Sequence, residues 1–484
     1  MKYINHFFPV SLLSLLYAFL FVHFELGLNV LLYDAIFILV AGRLRPDVSG
    51  KAPFIWTSAA LLFSAISVVI VNTWLSILAH GLTFIILVGY LQWRELRFIW
   101  FAFLLGLHGH LAGPFRWIRQ SIRATHATGY SGRYWSRRLK QFFVPLLLMV
   151  PFVLLYGLAS VQLGDFLDQI SLLLVDLFSL DHLGPYLLLS VWGIIKITAA
   201  LFPRVRSLRL LDFERTFTDQ LVRSRQNKTD RQHATLALKT EYQQATIAFG
   251  VLNALLLLVN LLDFRFVWLP AESLSAQELS HFVHLGTYNL IISIFLAMGI
   301  VLYYFRGNLN FFPRNHLLKQ LTNAWLIQNA VLAFSVAIRN HHYIRAYGLA
   351  YGRIMVLFCL MLIFFGLYTL GKKINHRLST SYLFQSNGLA AWLALLLFAS
   401  VNWGGVITRY NLATQHLEEV DWHYLSSGIG PQNTFLLAKH QEYAPFLAKY
   451  YSWKRKNRPE KYVPQDWRSW NYADYRNLQS LKNQ

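Results

Sequence analysis

The chain has 484 residues, 55% hydrophobic, 16% aromatic and only 14% charged, where a soluble domain carries about 25% charged residues. Lys and Arg outnumber Asp and Glu by 44 to 23, a formal charge of +21, and there is a single cysteine, Cys359. A soluble globular protein and an intrachain disulfide or thiolate metal site are thereby excluded, and the basic excess is assigned to cytoplasmic loops beside anionic lipid headgroups, not to nucleic acid.

The elements follow in chain order. Apolar runs recur at 7–24, 26–42, 54–71, 74–91, 98–113, 142–160, 184–202, 244–262, 283–305, 321–338, 349–371 and 387–408. A run of about 20 residues crosses a hydrocarbon core of ~30 Å. The stretch 142–160 (FFVPLLLMVPFVLLYGLAS) is nearly that long and has no charge at all. Helices apolar on every side belong in lipid. The expected fold is all-α, a polytopic transmembrane helix bundle of 11–12 spans with an aromatic-rich C-terminal tail. A basic residue, Lys2, precedes the first run, as in a signal peptide, but no small-residue cleavage site ends the run, so it is read as the first span. The run at 98–113 is short and holds Gly106, Gly109 and Gly113, so it is read as tilted, re-entrant or interfacial.

Loop charge sets orientation. Residues 114–141 carry Arg116, Arg119, Arg123, Arg133, Arg137, Arg138 and Lys140 with no acid, and 203–243 are basic again. Both are expected in the cytoplasm. Residues 161–183 carry Asp165, Asp168, Asp176 and Asp181 with no base, and read as outside. Within them Phe166, Leu167, Ile170, Leu173, Leu174 and Leu177 share one helical face, as in a helix lying in the outer interface. The loop 263–282 is outside, and the basic loops 306–320 and 372–384 are inside. One conflict stands. Arg43, Arg45 and Lys51 also mark 43–53 as inside, yet an odd number of spans separates them from 114–141 if 98–113 crosses.

Two segments follow from composition: a polytopic membrane domain, 1–408, and a tail, 409–484. The tail holds Trp422, Trp453, Trp467 and Trp470, with breakers at Gly428, Gly430, Pro431, Pro445, Pro459 and Pro464. It is expected as short helices and loops packed at the interface, where Trp and Tyr sit well, with a protein partner as the alternative use. The topology puts it outside the cytoplasm.

A charge inside a span is costly and marks a site. Asp34 lies mid-run in LGLNVLLYDAIFILVAG and Lys196 in LLLSVWGIIKITAALF. They are expected either to pair or, for Lys196, to snorkel toward the cytoplasmic interface. Asn253 and Asn260 share a face at seven-residue spacing and, with Asn289, Asn323, Gln328 and Asn329, suit interhelical hydrogen bonds or a polar path. His108 and His110 stand two apart and point to different helix faces, which suits no shared metal. His80 is expected to make a polar contact within its span. No zincin, phosphate-loop, nucleophile-elbow or dinucleotide motif occurs. No cofactor or metal is expected, and the reading leans away from an enzyme.

The stretch RNHHYIRAYGLAYGRI at 339–354, the step Lys372-Lys373-Ile374-Asn375 and NWGGVITRYNLA at 402–413 resemble a family of bacterial integral membrane proteins of unknown function, family 4173. Tyr343, Ile344, Tyr347, Gly348, Leu349, Arg353 and Ile354 match its first motif, with Ala350 where Thr is usual. Ile407, Arg409, Tyr410 and Asn411 match the second, and Asp421, Tyr424 and Leu425 the third. The resemblance implies a multi-pass protein of the bacterial cytoplasmic membrane and supplies no activity. Read physically, Gly348 allows a tight turn into a helix, and Arg353 either snorkels or meets a carboxylate. Arg339, Tyr347, Gly348, Arg345, Arg353, Arg409, Tyr410, Asn411 and Asp421 are expected to cluster at one membrane face, fitted to anionic headgroups or to the tail's own carboxylates. The leading function is recognition of a partner, lipid or signal without chemistry. The alternatives are transport of a small polar or ionic solute, and a lipid-modifying enzyme using His108, His110 or His341.

Overall fold

The computed structural model describes residues 7–22, 25–93, 96–127, 180–202, 218–221, 231–264, 276–305, 307–443 and 466–482. The expected span 142–160, the outer-interface helix at 161–183 and much of the basic stretches 114–141 and 203–243 lie outside them, as does most of the loop 263–282. Among the described residues the fold is all-helical with no strand. The helices are α1 (Phe7–Phe21), α2 (Leu28–Leu44), α3 (Ala52–Val71), α4 (Trp74–Gln92), α5 (Ile99–Ala127) and α6 (Leu180–Leu201). After these come α7 (Arg231–Asp263), α8 (Ala276–Tyr304), α9 (His316–Tyr347), α10 (Tyr351–His376), α11 (Thr380–Ala399), α12 (Trp403–Thr414) and α13 (Tyr472–Lys482). Seven of them, α3, α4, α6, α7, α9, α10 and α11, are long and apolar enough to cross a membrane, and shorter apolar stretches lie at Phe8–Phe21 and Asn289–Tyr304. The chain is a multi-pass membrane protein.

The chain divides into two compact units, 1–97 with 101–208 and 463–475, and 98–100 with 209–462 and 476–484. In the first, α1 packs along α6, where Gly193 lets the backbones close; a Cβ there would sit 2.9 Å from Ser14 Cα. Val10, Leu13, Tyr33, Phe37, Phe84, Leu87 and Ile197 form the core. Helix α3 ends on Asn72 in the left-handed region (φ 46°), and Thr73 with Ser76 forms a capping box that starts α4. Asn72 Nδ2 also donates to Leu26 O at 3.1 Å. The turn before α2 is sealed by residues 466–470: Leu28 N–H donates to Trp470 O at 3.0 Å and Asn29 N–H to Arg468 O at 2.8 Å. Asp466 accepts side-chain hydrogen bonds from Arg468, which hold its carboxyl below the usual value. What that exposed pair contributes is therefore present above the ordinary carboxylate value and lost as pH falls below it.

Helix α5 lies outside the set of seven. It packs closely against α4, with Gly89 of α4 on the Ala102 backbone and Gly106 of α5 on the Ile85 backbone in one antiparallel register, while Gly109 meets the Gln92 side chain. The run 98–113 is the first part of this longer helix, Ile99–Ala127. A Gly89→Leu substitution would drive a side chain into the Ala102 backbone. It should cost about 1–3 kcal/mol, read as a lower melting temperature in detergent.

In the second unit α7 and α9 run parallel, with α8 and α10 antiparallel to α9. Phe249, Ile294, Phe305, Trp325, Val336, Ile363 and Ile374 fill its core. On α7, Ile247, Val251, Leu255, Leu258 and Leu262 form an exposed stripe. An apolar exterior of that kind is what lipid covers. Helix α9 has 32 residues, or about 48 Å at 1.5 Å per residue, well beyond a ~30 Å core. Its end therefore extends past the hydrocarbon.

Two expectations about elements need correction. The run 387–408 is not one helix. The chain turns at Ser400–Asn402, where Asn402 Oδ1 accepts from Gly405 N–H at 2.9 Å and caps α12. The step 372–384 is mostly helix: α10 runs to His376 and α11 starts at Thr380. Lys373 is fully buried there and donates to Phe305 O at 2.9 Å.

Candidate functional site

The end of α9, the turn 348–350, the start of α10 and the segment after α12 enclose a cavity of about 610 Å³ in the second unit. Gly348 makes the turn at φ +76°, and a Cβ on it would lie 2.6 Å from Asn411 Oδ1. Asn411 clasps the same turn. Its Oδ1 accepts from Leu349 N–H at 2.5 Å and its Nδ2 donates to Leu349 O at 3.0 Å. Gly348→Ala should therefore both strain the backbone and displace Asn411, costing about 1–3 kcal/mol in unfolding assays.

Arg353, one turn into α10, folds back onto that turn. Its Nη1 donates to Tyr347 O at 2.8 Å and to Gly348 O. The guanidinium lies over the Tyr343 ring at 4.2 Å and the Tyr347 ring at 5.8 Å. Those rings meet edge to face, 4.9 Å apart. Planar stacking with a bound fork suits Arg and not Lys. Asn340 Nδ2 donates to Arg353 O at 3.0 Å. From the later segment, Tyr424 Oη accepts from Tyr351 N–H at 3.0 Å, and Tyr351 Oη donates to Gln432 Oε1 at 2.6 Å. Gln415, Glu419 and Asp421 complete the wall.

The cavity gathers Tyr347, Arg353, Asn411 and Asp421 beside Gly348. Asp421 also accepts from Tyr424 N–H at 2.8 Å. Arg409 and Tyr410 are not in its wall; Arg409 faces the Phe435 ring at 6.0 Å. Arg339 is a further correction, since it makes a buried ion pair with Asp263 at the end of α7. Arg345 is exposed. Residues the sequence did not single out are Asn340, Gln415 and Glu419. Asn340 shares a helix face with Tyr343 and Tyr347, a spacing that could have found it.

A second polar cluster lies inside the first unit. Asp34 on α2 is 1% exposed. Its Oδ2 stands 3.6 Å from His80 Nδ1 on α4, and that nitrogen is 3.2 Å from Ser64 Oγ on α3. Lys196 on α6 is near enough to Asp34 for each to feel the other's charge. Its ammonium sits on aromatic faces, 4.6 Å from the Phe84 centroid, 5.0 Å from Tyr17 and 5.9 Å from Tyr33. The ammonium rests on aromatic rings, and the group at ion-pair distance from Asp34 is His80, for which the sequence predicted a polar contact without naming its partner.

Asn253 and Asn260 belong to the other unit. Asn253 Nδ2 donates to Leu321 O at 2.9 Å, Asn260 Nδ2 to Gln328 O at 3.1 Å, and Gln328 Nε2 to Asn253 Oδ1 at 2.8 Å. These bonds tie α7 to α9, the structural one of the two expected roles. His110 Nδ1 lies 2.7 Å from Gly106 O while His108 is exposed. No metal-holding group of His, Cys, Asp and Glu occurs among the described residues.

Fold and sites together define a multi-pass, all-helical membrane protein carrying a polar cavity at one helix end and a charged cluster inside the bundle. The chain belongs to the family "Domain of unknown function (DUF4153)", whose model matches residues 54–439. That number replaces the 4173 suggested by the motifs; the match covers every cavity residue, His80 and Lys196. No curated protein and no solved structure matches the chain.

Proposed function

We propose that this is a non-catalytic recognition protein of a bacterial cytoplasmic membrane, and that its cavity holds the polar head of a zwitterionic lipid at the outer surface. The carrying observation is the pairing of charges in one small space. Arg353 keeps Nε and Nη2 without a protein hydrogen bond among the described residues, and Glu419 and Asp421 line the same cavity. A phosphate suits the guanidinium and an ammonium suits the carboxylates. The carboxylates turn the expected anionic headgroup into a zwitterionic one.

Charge supports the sidedness. In the first unit Arg43, Arg45 and Lys51 lie at the end away from the turn at 22–27. In the second, Lys319, Lys372, Lys373 and Arg377 lie at the end away from the cavity. Basic ends belong in the cytoplasm, so the cavity opens outward.

The test is lipid co-purification from gently solubilised full-length protein, by native mass spectrometry. Arg353→Ala should lower retained phosphatidylethanolamine about tenfold or more, the worth of a charge-assisted hydrogen bond. Glu419→Gln with Asp421→Asn should lose preference for that lipid over phosphatidylglycerol while still binding both. Unchanged lipid in both variants contradicts the proposal.

A further inference from the structure

The cluster around Asp34 is not used by the cavity, and its geometry asks for a purpose. Every packed element contributes a polar or aromatic group. Tyr17 comes from α1, Tyr33 and Asp34 from α2, Ser64 from α3, His80 from α4, His110 from α5, edge-on to Phe84 at 6.0 Å, and Lys196 from α6. Asp34 Oδ2 and Tyr33 Oη are buried with no hydrogen-bond partner. A carboxylate oxygen left bare in a bundle core costs several kcal/mol unless a proton or a moving charge serves it.

Ser64 Oγ lies 2.8 Å from Leu61 O and 3.2 Å from His80 Nδ1. With the hydroxyl donated to Leu61 O, Oγ accepts from Nδ1–H, and the same nitrogen faces Asp34 Oδ2 at 3.6 Å. The other nitrogen, Nε2, is left as the basic one. Such a contact is long at rest and shortens during transfer.

We propose that Asp34 and His80 form a proton-carrying site. A hydronium gives its proton to His80 Nε2, forming an N–H bond. The Nδ1–H bond breaks and its proton forms an O–H bond on Asp34 Oδ2. The imidazole ends neutral as the opposite tautomer and the carboxylate ends as the acid. Nothing is oxidised, and one proton is taken up. Lys196, on the faces of Phe84, Tyr17 and Tyr33, is the cationic group beside the site. Release runs the same steps backward. The ligand is the proton itself, the coupling ion of a transport or signalling step.

The experiment is infrared difference spectroscopy on full-length protein in lipid nanodiscs, stepped between mildly alkaline and mildly acidic buffer. Wild type should show a buried carboxylic acid band that Asp34→Asn removes. His80→Gln should keep the band but slow its appearance after a pH jump about 10²-fold, since an aligned relay contributes ~10²–10⁴ in rate. Where Asp34→Asn does not fold, aspartate labelled with ¹³C at the carboxyl decides. The band must shift with the label, and its rate must fall in His80→Gln, which singles out the aspartate beside His80. No titrating band in wild type, a band that survives Asp34→Asn, or an unchanged rate in His80→Gln overturns the proposal.

Discussion

Arg339→Ala should destabilise the second unit by about 3–5 kcal/mol, the cost of stranding one member of a buried ion pair. Arg339 is 7% and Asp263 7% exposed, and they bind each other between α9 and α7. Removing the guanidinium takes away the ion-pair partner of a buried carboxylate at a helix end. Measured by SDS-titrated unfolding in mixed micelles, the variant should unfold at markedly lower detergent fraction. The double variant Asp263→Leu with Arg339→Met should recover much of the loss, because no charge is left buried. If the double variant is as poor as the sum of the singles, the pair is not the cause.

Asn29→Ala should be nearly as costly in the first unit. Asn29 is fully buried and makes four hydrogen bonds. Its Oδ1 accepts from Gly27 N–H at 2.8 Å and Val30 N–H at 2.9 Å, and its Nδ2 donates to Leu20 O and Glu25 O, both at 3.0 Å. It ties the end of α1 to the start of α2. Each backbone group left unserved costs about 1–3 kcal/mol, so the loss should reach several kcal/mol in the same unfolding assay. Asn29→Leu fills the space and restores none of the bonds. It should be as damaging as Asn29→Ala; a benign Asn29→Leu would mean that packing and not hydrogen bonding holds the turn.

The helices were legible because bilayer-length apolar runs admit few other structures, and the described helices follow those runs closely. What interrupts a run was harder to read. Asn402 with two glycines behind it is a cap signal, but the hydropathy of 387–408 hid the break, and with it the rotation that sends Arg409 to Phe435. Gly348, Arg353 and Asn411 were found through their motifs. Glu419 and Gln415 were not, because they reach the cavity from an irregular segment that no periodicity ties to α9. Asp34 announced itself as a charge within a run. His80 did not, since the pairing joins helices 46 positions apart and only packing brings them together.

The account turns on what the cavity beside Arg353 holds. A cryo-electron microscopy map of the full chain in nanodiscs rich in phosphatidylethanolamine tests this most directly. The account predicts headgroup density in the cavity, its phosphate on Arg353 and its ammonium toward Glu419 and Asp421, absent from the Arg353→Ala map. A cavity that is empty in such a membrane, or filled by the chain's own residues, would contradict it.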